Sequence, residues 1–166
     1  MLNSILVVIF PLLMAFAAVY DLLTMRIPNW ISLGLIIAFG VCALAIGLPL
    51  TQVGLHLAVG FGVLVVAFLL FIPGWIGGGD AKFAAAIGLW MGTALVGSFL
   101  AYAAIFGGLL TVGLIVFRWK VPVSWLPKKE WILRLHDKKV GAPYGIALAA
   151  GAMLVYVKTP LFLALS

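Results

Sequence analysis

The chain has 166 residues, of which 66% are hydrophobic and 8% charged, with a mean hydropathy of +1.33. Soluble domains run at about 45–50% apolar and about 25% charged, so a water-soluble globule is excluded, having too few polar side chains to cover its surface. Disorder needs low hydrophobicity and is excluded too, while the net charge of +6 reports loop orientation in a membrane protein rather than a nucleic-acid partner.

A spanning helix takes about 20 residues, so residues 1–166 make a single membrane-embedded domain with the lipid bilayer around it and no soluble appendage. Met1–Ala18 is apolar, and Ala15-Phe16-Ala17 resembles a signal-peptidase site. No Lys or Arg precedes that stretch and Pro11 interrupts it, so it reads as a first span rather than a cleaved signal. The apolar runs give six predicted transmembrane helices: Leu2–Tyr20, Trp30–Leu48, Val53–Ile72, Asp80–Gly92, Ala94–Phe117 and Val140–Val157. The fourth is short, about 20 Å against a hydrocarbon core of about 30 Å. It follows an irregular Gly-rich stretch, Gly74–Gly79, which extends it or buries its start. The predicted fold class is an all-α polytopic membrane protein. Cys42, the single cysteine, lies inside an apolar run and is expected as a small core residue, with no disulfide or four-thiolate metal site possible.

Six spans place the loops after the first, third and fifth on one side. These hold Arg26, Lys82, Arg118, Lys120, Lys128, Lys129, Arg134, Lys138 and Lys139, leaving only Lys158 of the ten Lys and Arg on the other. The basic side marks the cytoplasm, with both termini outside. A five- or seven-span count would scramble this separation. Within the long loop Arg118–Lys139, Pro127–His136 can form a short helix with Glu130 and Arg134 at i, i+4 and with Trp131 and Leu135 on a neighbouring face. With Trp125 nearby, this is expected to lie on an anionic leaflet; the sharper reading is that it also gates an active site.

The four acidic residues divide into two pairs. Glu130 and Asp137 belong to the basic loop and read as solvated charges. Asp21 closes the first apolar run and Asp80 opens the fourth, positions where an ionisable group is costly and therefore suggests function. By the charge separation both lie at the cytoplasmic face. Two carboxyls held together cannot both ionise easily, and such a pair can split protonated and ionised roles to activate water. The plainer alternative is that each caps a helix.

Other chemistries are thin. His56 and His136 fall on opposite sides and read as interfacial polar tips, so no zinc set exists. Ser98 lacks a Gly-x-Ser-x-Gly frame. The flanks of the aspartates carry more. Asp21 is followed after five residues by Ile27-Pro28-Asn29, in which Pro28 holds its predecessor extended and Asn29 is expected to cap the second span. Asp80 stands in Gly77-Gly78-Gly79-Asp80-Ala81-Lys82, and glycines at membrane depth suit backbone lining a cavity. Lys82, two positions after Asp80, points elsewhere on a helix, either snorkelling to headgroups or meeting a substrate.

Together with Pro143-Tyr144-Gly145, these segments resemble the three signatures of type IV prepilin peptidases, intramembrane aspartic proteases of the Gly-x-Gly-Asp class. The resemblance covers nearly the whole chain. It implies Asp21 and Asp80 as the catalytic pair, supported by Ile27, Pro28, Asn29, Gly77, Gly79, Lys82, Pro143, Tyr144 and Gly145, with no cofactor and no metal. It implies a bacterial inner-membrane enzyme that cuts pilin precursors at the cytoplasmic face, the substrate being a basic leader, a small residue and an apolar helix. The compact length resembles the small members serving tight-adherence pili. Large bifunctional members carry a methyltransferase insert with paired Cys-x-x-Cys motifs, for which this chain has neither room nor cysteines, so peptidase activity alone is expected. Presenilin-like enzymes carry Pro-Ala-Leu where this chain has Pro143-Tyr144-Gly145. A preflagellin-type or other Gly-x-Gly-Asp protease is the nearest alternative. A small proton-coupled transporter using both carboxyls, and a silent scaffold, are the readings from other classes.

Overall fold

A computed structural model describes residues 2–165, with side chains from residue 5 onward. Its elements are α1 (Leu2–Thr24), α2 (Asn29–Ala45), α3 (Leu50–Phe71), α4 (Gly78–Lys120), a 3-10 turn at Val123–Trp125, α5 (Glu130–His136), α6 (Tyr144–Tyr156) and α7 (Pro160–Leu165), with no strand among the described residues. Three helices are long and apolar enough to cross a membrane: α1 from Ile5, α3 and α4. Helices α2 and α6 are shorter apolar helices of 17 and 13 residues. The chain is a helical membrane protein.

The fourth and fifth predicted spans fall within one element, α4, which is not straight. Gly92, at φ 62 and ψ −172, leaves helical geometry in its middle. A straight helix of 43 residues would run about 65 Å, yet both ends of α4 reach the same segment. Asp80 shares a cleft with Ala142, while Arg118 Nη2 donates to the carbonyls of Val140 and Gly141, 3.0 Å to each. The helix therefore folds back at Gly92. Its first half runs antiparallel to α3, with Gly88 beside Val63 and Gly60 beside Leu89. Its second half runs antiparallel to α6, with Gly107 beside Tyr144 and Gly151 beside Ala103.

The core extends from Ile27, which lines the cleft of the two aspartates, to an aromatic cluster about three turns along α1 from Asp21. Phe10 stacks on Tyr156 with ring centroids 4.4 Å apart, and Trp90 lies 4.8 Å from Phe10. The Trp90 indole N–H donates to the Leu35 carbonyl at 2.9 Å. Pro11 sits inside α1 and has no N–H, so the carbonyl of Val7 one turn earlier lacks its helical partner; the Tyr156 hydroxyl supplies it at 2.9 Å. Cys42 is buried in the same core.

Several expectations are corrected. Helix α1 continues through Thr24, so Asp21 lies inside its last turn rather than closing the run. His56 is not an interfacial tip. It is buried, and its Nδ1–H donates at 2.6 Å to the carbonyl of Leu89, at the turn where Gly92 interrupts the helical ladder. His136 is half-buried, 2.7 Å from the carbonyl of Val121 just past α4, which is compatible with an interfacial position. Helix α6 starts at Tyr144 rather than Val140, because Ala142 precedes a proline and is held out of helical geometry. The short α7 was not expected, although Thr159-Pro160 signals it: the Thr159 hydroxyl accepts from the Phe162 N–H at 3.2 Å, with Pro160 at the first helical position.

Candidate active site

Asp21, 3% exposed, is carried by the last turn of α1. Its Oδ2 accepts from the Gly145 N–H at 2.7 Å. Gly145 is the second residue of α6, so the carboxylate sits at a helix N-terminus, where free N–H groups and the dipole favour negative charge. Only a glycine fits there. A Cβ at Gly145 would lie 2.8 Å from Asp21 Oδ2 and 2.7 Å from Ile27 Cδ1.

Asp80 is the third residue of α4 and half-buried. It turns back towards the helix start, its Oδ2 lying 2.9 Å from where a Gly77 side chain would begin. Gly77, not Asp80, is the N-cap of α4, and the Asp80 carboxyl lines the shared cleft. Asp21 and Asp80 line one cleft of about 330 Å³, together with Gly77, Gly78, Gly79 and Ile27.

Ile27 joins the three motifs. A Cβ at Gly79 would come 3.0 Å from the Ile27 carbonyl oxygen, while the Ile27 side chain fills the space beside Gly145. Pro28, with φ −68 and ψ 145, takes the N-cap position of α2 and no side chain caps that end. Asn29 therefore does not cap, being already the first helical residue. Its Oδ1 accepts from Lys82 Nζ at 3.0 Å, which ties α2 to α4. Pro143 is the N-cap of α6. Tyr144 faces away from the carboxylates: its ring covers Gly107 and its hydroxyl meets Thr111 Oγ1 at 3.1 Å.

Sequence reasoning missed Met25, Arg26 and Ala142, which complete the cleft. Met25 holds a φ of 55, a left-handed conformation costing a methionine about 1 kcal/mol, and it ends α1 with its N–H on the Asp21 carbonyl at 2.7 Å. Arg118 and Arg134 do more than carry loop charge or, for Arg134, face Glu130 at i, i+4. Arg118 Nε donates to the Leu135 carbonyl at 2.7 Å in addition to its two bonds at 140 and 141, and Arg134 Nη1 donates to the Thr24 carbonyl at 3.1 Å. The expected short helix forms as α5, anchored to the end of α1 through Arg134. Glu130 and Asp137 are exposed and outside the cleft. Ser98 is exposed on the second half of α4. Among the described residues, no group of three His, Cys, Asp or Glu could hold a metal.

These features define a helical membrane protein with two carboxyls facing one glycine-lined cleft. A model of the type IV leader peptidase family matches residues 8–112, and the chain belongs to that family. The match takes in Asp21, Ile27-Pro28-Asn29 and the Gly77–Lys82 segment, and ends before Pro143-Tyr144-Gly145. No curated protein and no solved structure matches the chain.

Proposed function

We propose that this leader peptidase family member is an aspartic endopeptidase acting on type IV prepilin-like precursors, with Asp21 and Asp80 as its catalytic pair. The observation that carries this reading is the common cleft: two carboxyls, from α1 and α4, meet where the three motif segments pack. In the mechanism, one carboxyl is ionised and the other protonated. The ionised group takes a proton from a water held between them while that water attacks the scissile carbonyl carbon, and the protonated group donates a hydrogen bond to the carbonyl oxygen. The tetrahedral intermediate then collapses, the C–N bond breaks, and the departing amine receives a proton. No covalent enzyme intermediate is needed.

Six crossings, by α1, α2, α3, both halves of α4 and α6, put the cleft on the side holding nine of the ten basic residues, which is the cytoplasmic side by the positive-inside rule. The substrate is a basic leader followed by an apolar helix. Asp21→Asn and Asp80→Asn should each abolish processing of a co-expressed prepilin while leaving the protein in the membrane, whereas Glu130→Gln and Asp137→Asn should leave processing intact. Near-normal cleavage by either dyad variant overturns the reading.

Peptidase activity stands alone in this proposal. The longest segment between apolar helices, 121–143, carries only one 3-10 turn and the seven-residue α5, and chains below about 40 residues do not normally fold into an independent domain. Purified enzyme given prepilin and S-adenosylmethionine should yield cleaved pilin with an unmodified amine. A product heavier by one methyl group, read by mass spectrometry, would refute this.

A further inference from the structure

An apolar groove of about 630 Å³ lies between α2, α3 and the first half of α4. Each helix contributes about two turns, Asn29–Ile36, Leu57–Leu64 and Lys82–Leu89, so the groove is roughly 10 Å long. It faces outward from the bundle: Leu33 is 57% exposed and Phe61 68%. Its lower end is the Lys82–Asn29 pair, each partner two residues from a cleft residue, Asp80 or Ile27. The groove thus begins where the catalytic cleft ends and leads sideways between helices.

One residue lining it carries a buried polar atom without a partner. Ser32 is 6% exposed, lines the groove one turn beyond Asn29, and its Oγ is the buried side-chain oxygen without a hydrogen bond among the described residues. A buried hydroxyl left unpaired is destabilising, and the chemistry of the missing partner discriminates between occupants. An acyl chain offers no hydrogen-bonding group. A helix entering with its N-terminus at the cleft offers free N–H groups in its first turn, within reach of an acceptor placed one turn beyond the cleft.

We propose that this groove is the docking site for the apolar helix that follows the scissile bond, with Ser32 Oγ accepting from an N–H of its first turn. The inference rests on the peptidase reading above. It explains how a segment unable to leave the bilayer can be held while the bond at its polar end lies between Asp21 and Asp80.

The test uses the full chain in membranes. The photo-crosslinking residue p-benzoylphenylalanine is placed at Leu33, at Phe61, or at Leu109, which is exposed on the second half of α4, in an Asp80→Asn background that retains uncut prepilin. Adducts to the first two turns of the substrate helix from Leu33 and Phe61, and not from Leu109, are expected. Adducts only to phospholipid, or to a second copy of this chain, overturn the proposal. In otherwise wild-type enzyme, Ser32→Ala should slow cleavage of helix-bearing prepilin about fivefold, the weight of one hydrogen bond, and Ser32→Phe should slow it further by filling the groove. Both should cut a soluble leader peptide ending just past the scissile bond at the wild-type rate. Equal slowing on both substrates overturns the groove. Wild-type enzyme that cuts neither substrate overturns the peptidase reading and the groove with it, whereas normal wild-type cutting without groove adducts overturns the groove alone.

Discussion

At Gly145 a single methyl group would collide with both Asp21 and Ile27. Gly145→Ala must therefore displace the carboxylate or shift the start of α6. In the proposed mechanism Asp21 is a reacting group, and a displacement near 1 Å there costs on the order of 100-fold in rate, so processing should fall by about that much while the protein still accumulates in the membrane, as an immunoblot of the precursor and mature forms would show. Lys82 is a milder case. Its ammonium binds Asn29 rather than Asp21 or Asp80, so on the proposed mechanism Lys82→Met should slow cleavage less than a change at either aspartate; complete loss would place Lys82 among the catalytic groups. Met25 tests the turn after Asp21. Its φ of 55 is tolerable for an unbranched side chain but severe for a β-branched one, so Met25→Val should lower the midpoint of thermal unfolding in detergent while Met25→Gly keeps it near wild type. The aspartates, the glycines and the Ile-Pro-Asn segment were legible because glycine, proline and membrane-depth acids each carry a strong local constraint. Met25 was not, since methionine has no preference that announces a left-handed turn. Arg118 and Arg134 were hidden for a different reason: their acceptors are backbone carbonyls 17 to 110 residues away, and a carbonyl leaves no mark in the sequence.

Among the elements, the reversal of α4 at Gly92 is braced from α3, whose His56 bonds the Leu89 carbonyl just before the turn. A Cβ at Gly92 would lie 2.7 Å from His56 Cε1, on a backbone with φ +62. Gly92→Ala therefore combines about 1–2 kcal/mol of left-handed backbone strain with a ring clash. His56→Ala leaves the Leu89 carbonyl without its Nδ1–H donor, costing about 1–3 kcal/mol. Both variants should lower thermal stability in detergent, with Gly92→Ala the more damaging. The hydrophobic runs indicated where helices lie and even that something interrupts the chain near residue 92, since the fourth and fifth predicted spans were separated there. They could not show that His56 is the brace, because a histidine near a helix end reads equally well as an interfacial residue; only the partner 33 residues away distinguishes the two.

For the molecule as a whole, Arg118 fastens the segment that leads into α6. Its guanidinium reaches the carbonyls of Leu135, Val140 and Gly141 together, and Gly141 is four residues before the N–H that holds Asp21. Lysine has the charge but not the planar fork. Arg118→Lys should therefore make residues 121–141 more sensitive to limited proteolysis and reduce processing, without loss of the helical circular-dichroism signal. The reversal at Gly92 has a wider consequence still. Because α4 returns to the face it left, the segment from residue 121 to the start of α6 emerges on the side of Asp21 and Asp80, including the glycine that receives the Asp21 carboxylate. Were α4 to run straight through, Arg118, α5 and the start of α6 would be delivered to the opposite surface of the bilayer, and the third motif could never meet the first two. Sidedness of the last quarter of the chain, and with it the assembly of the site from distant segments, hangs on the handedness of one backbone torsion.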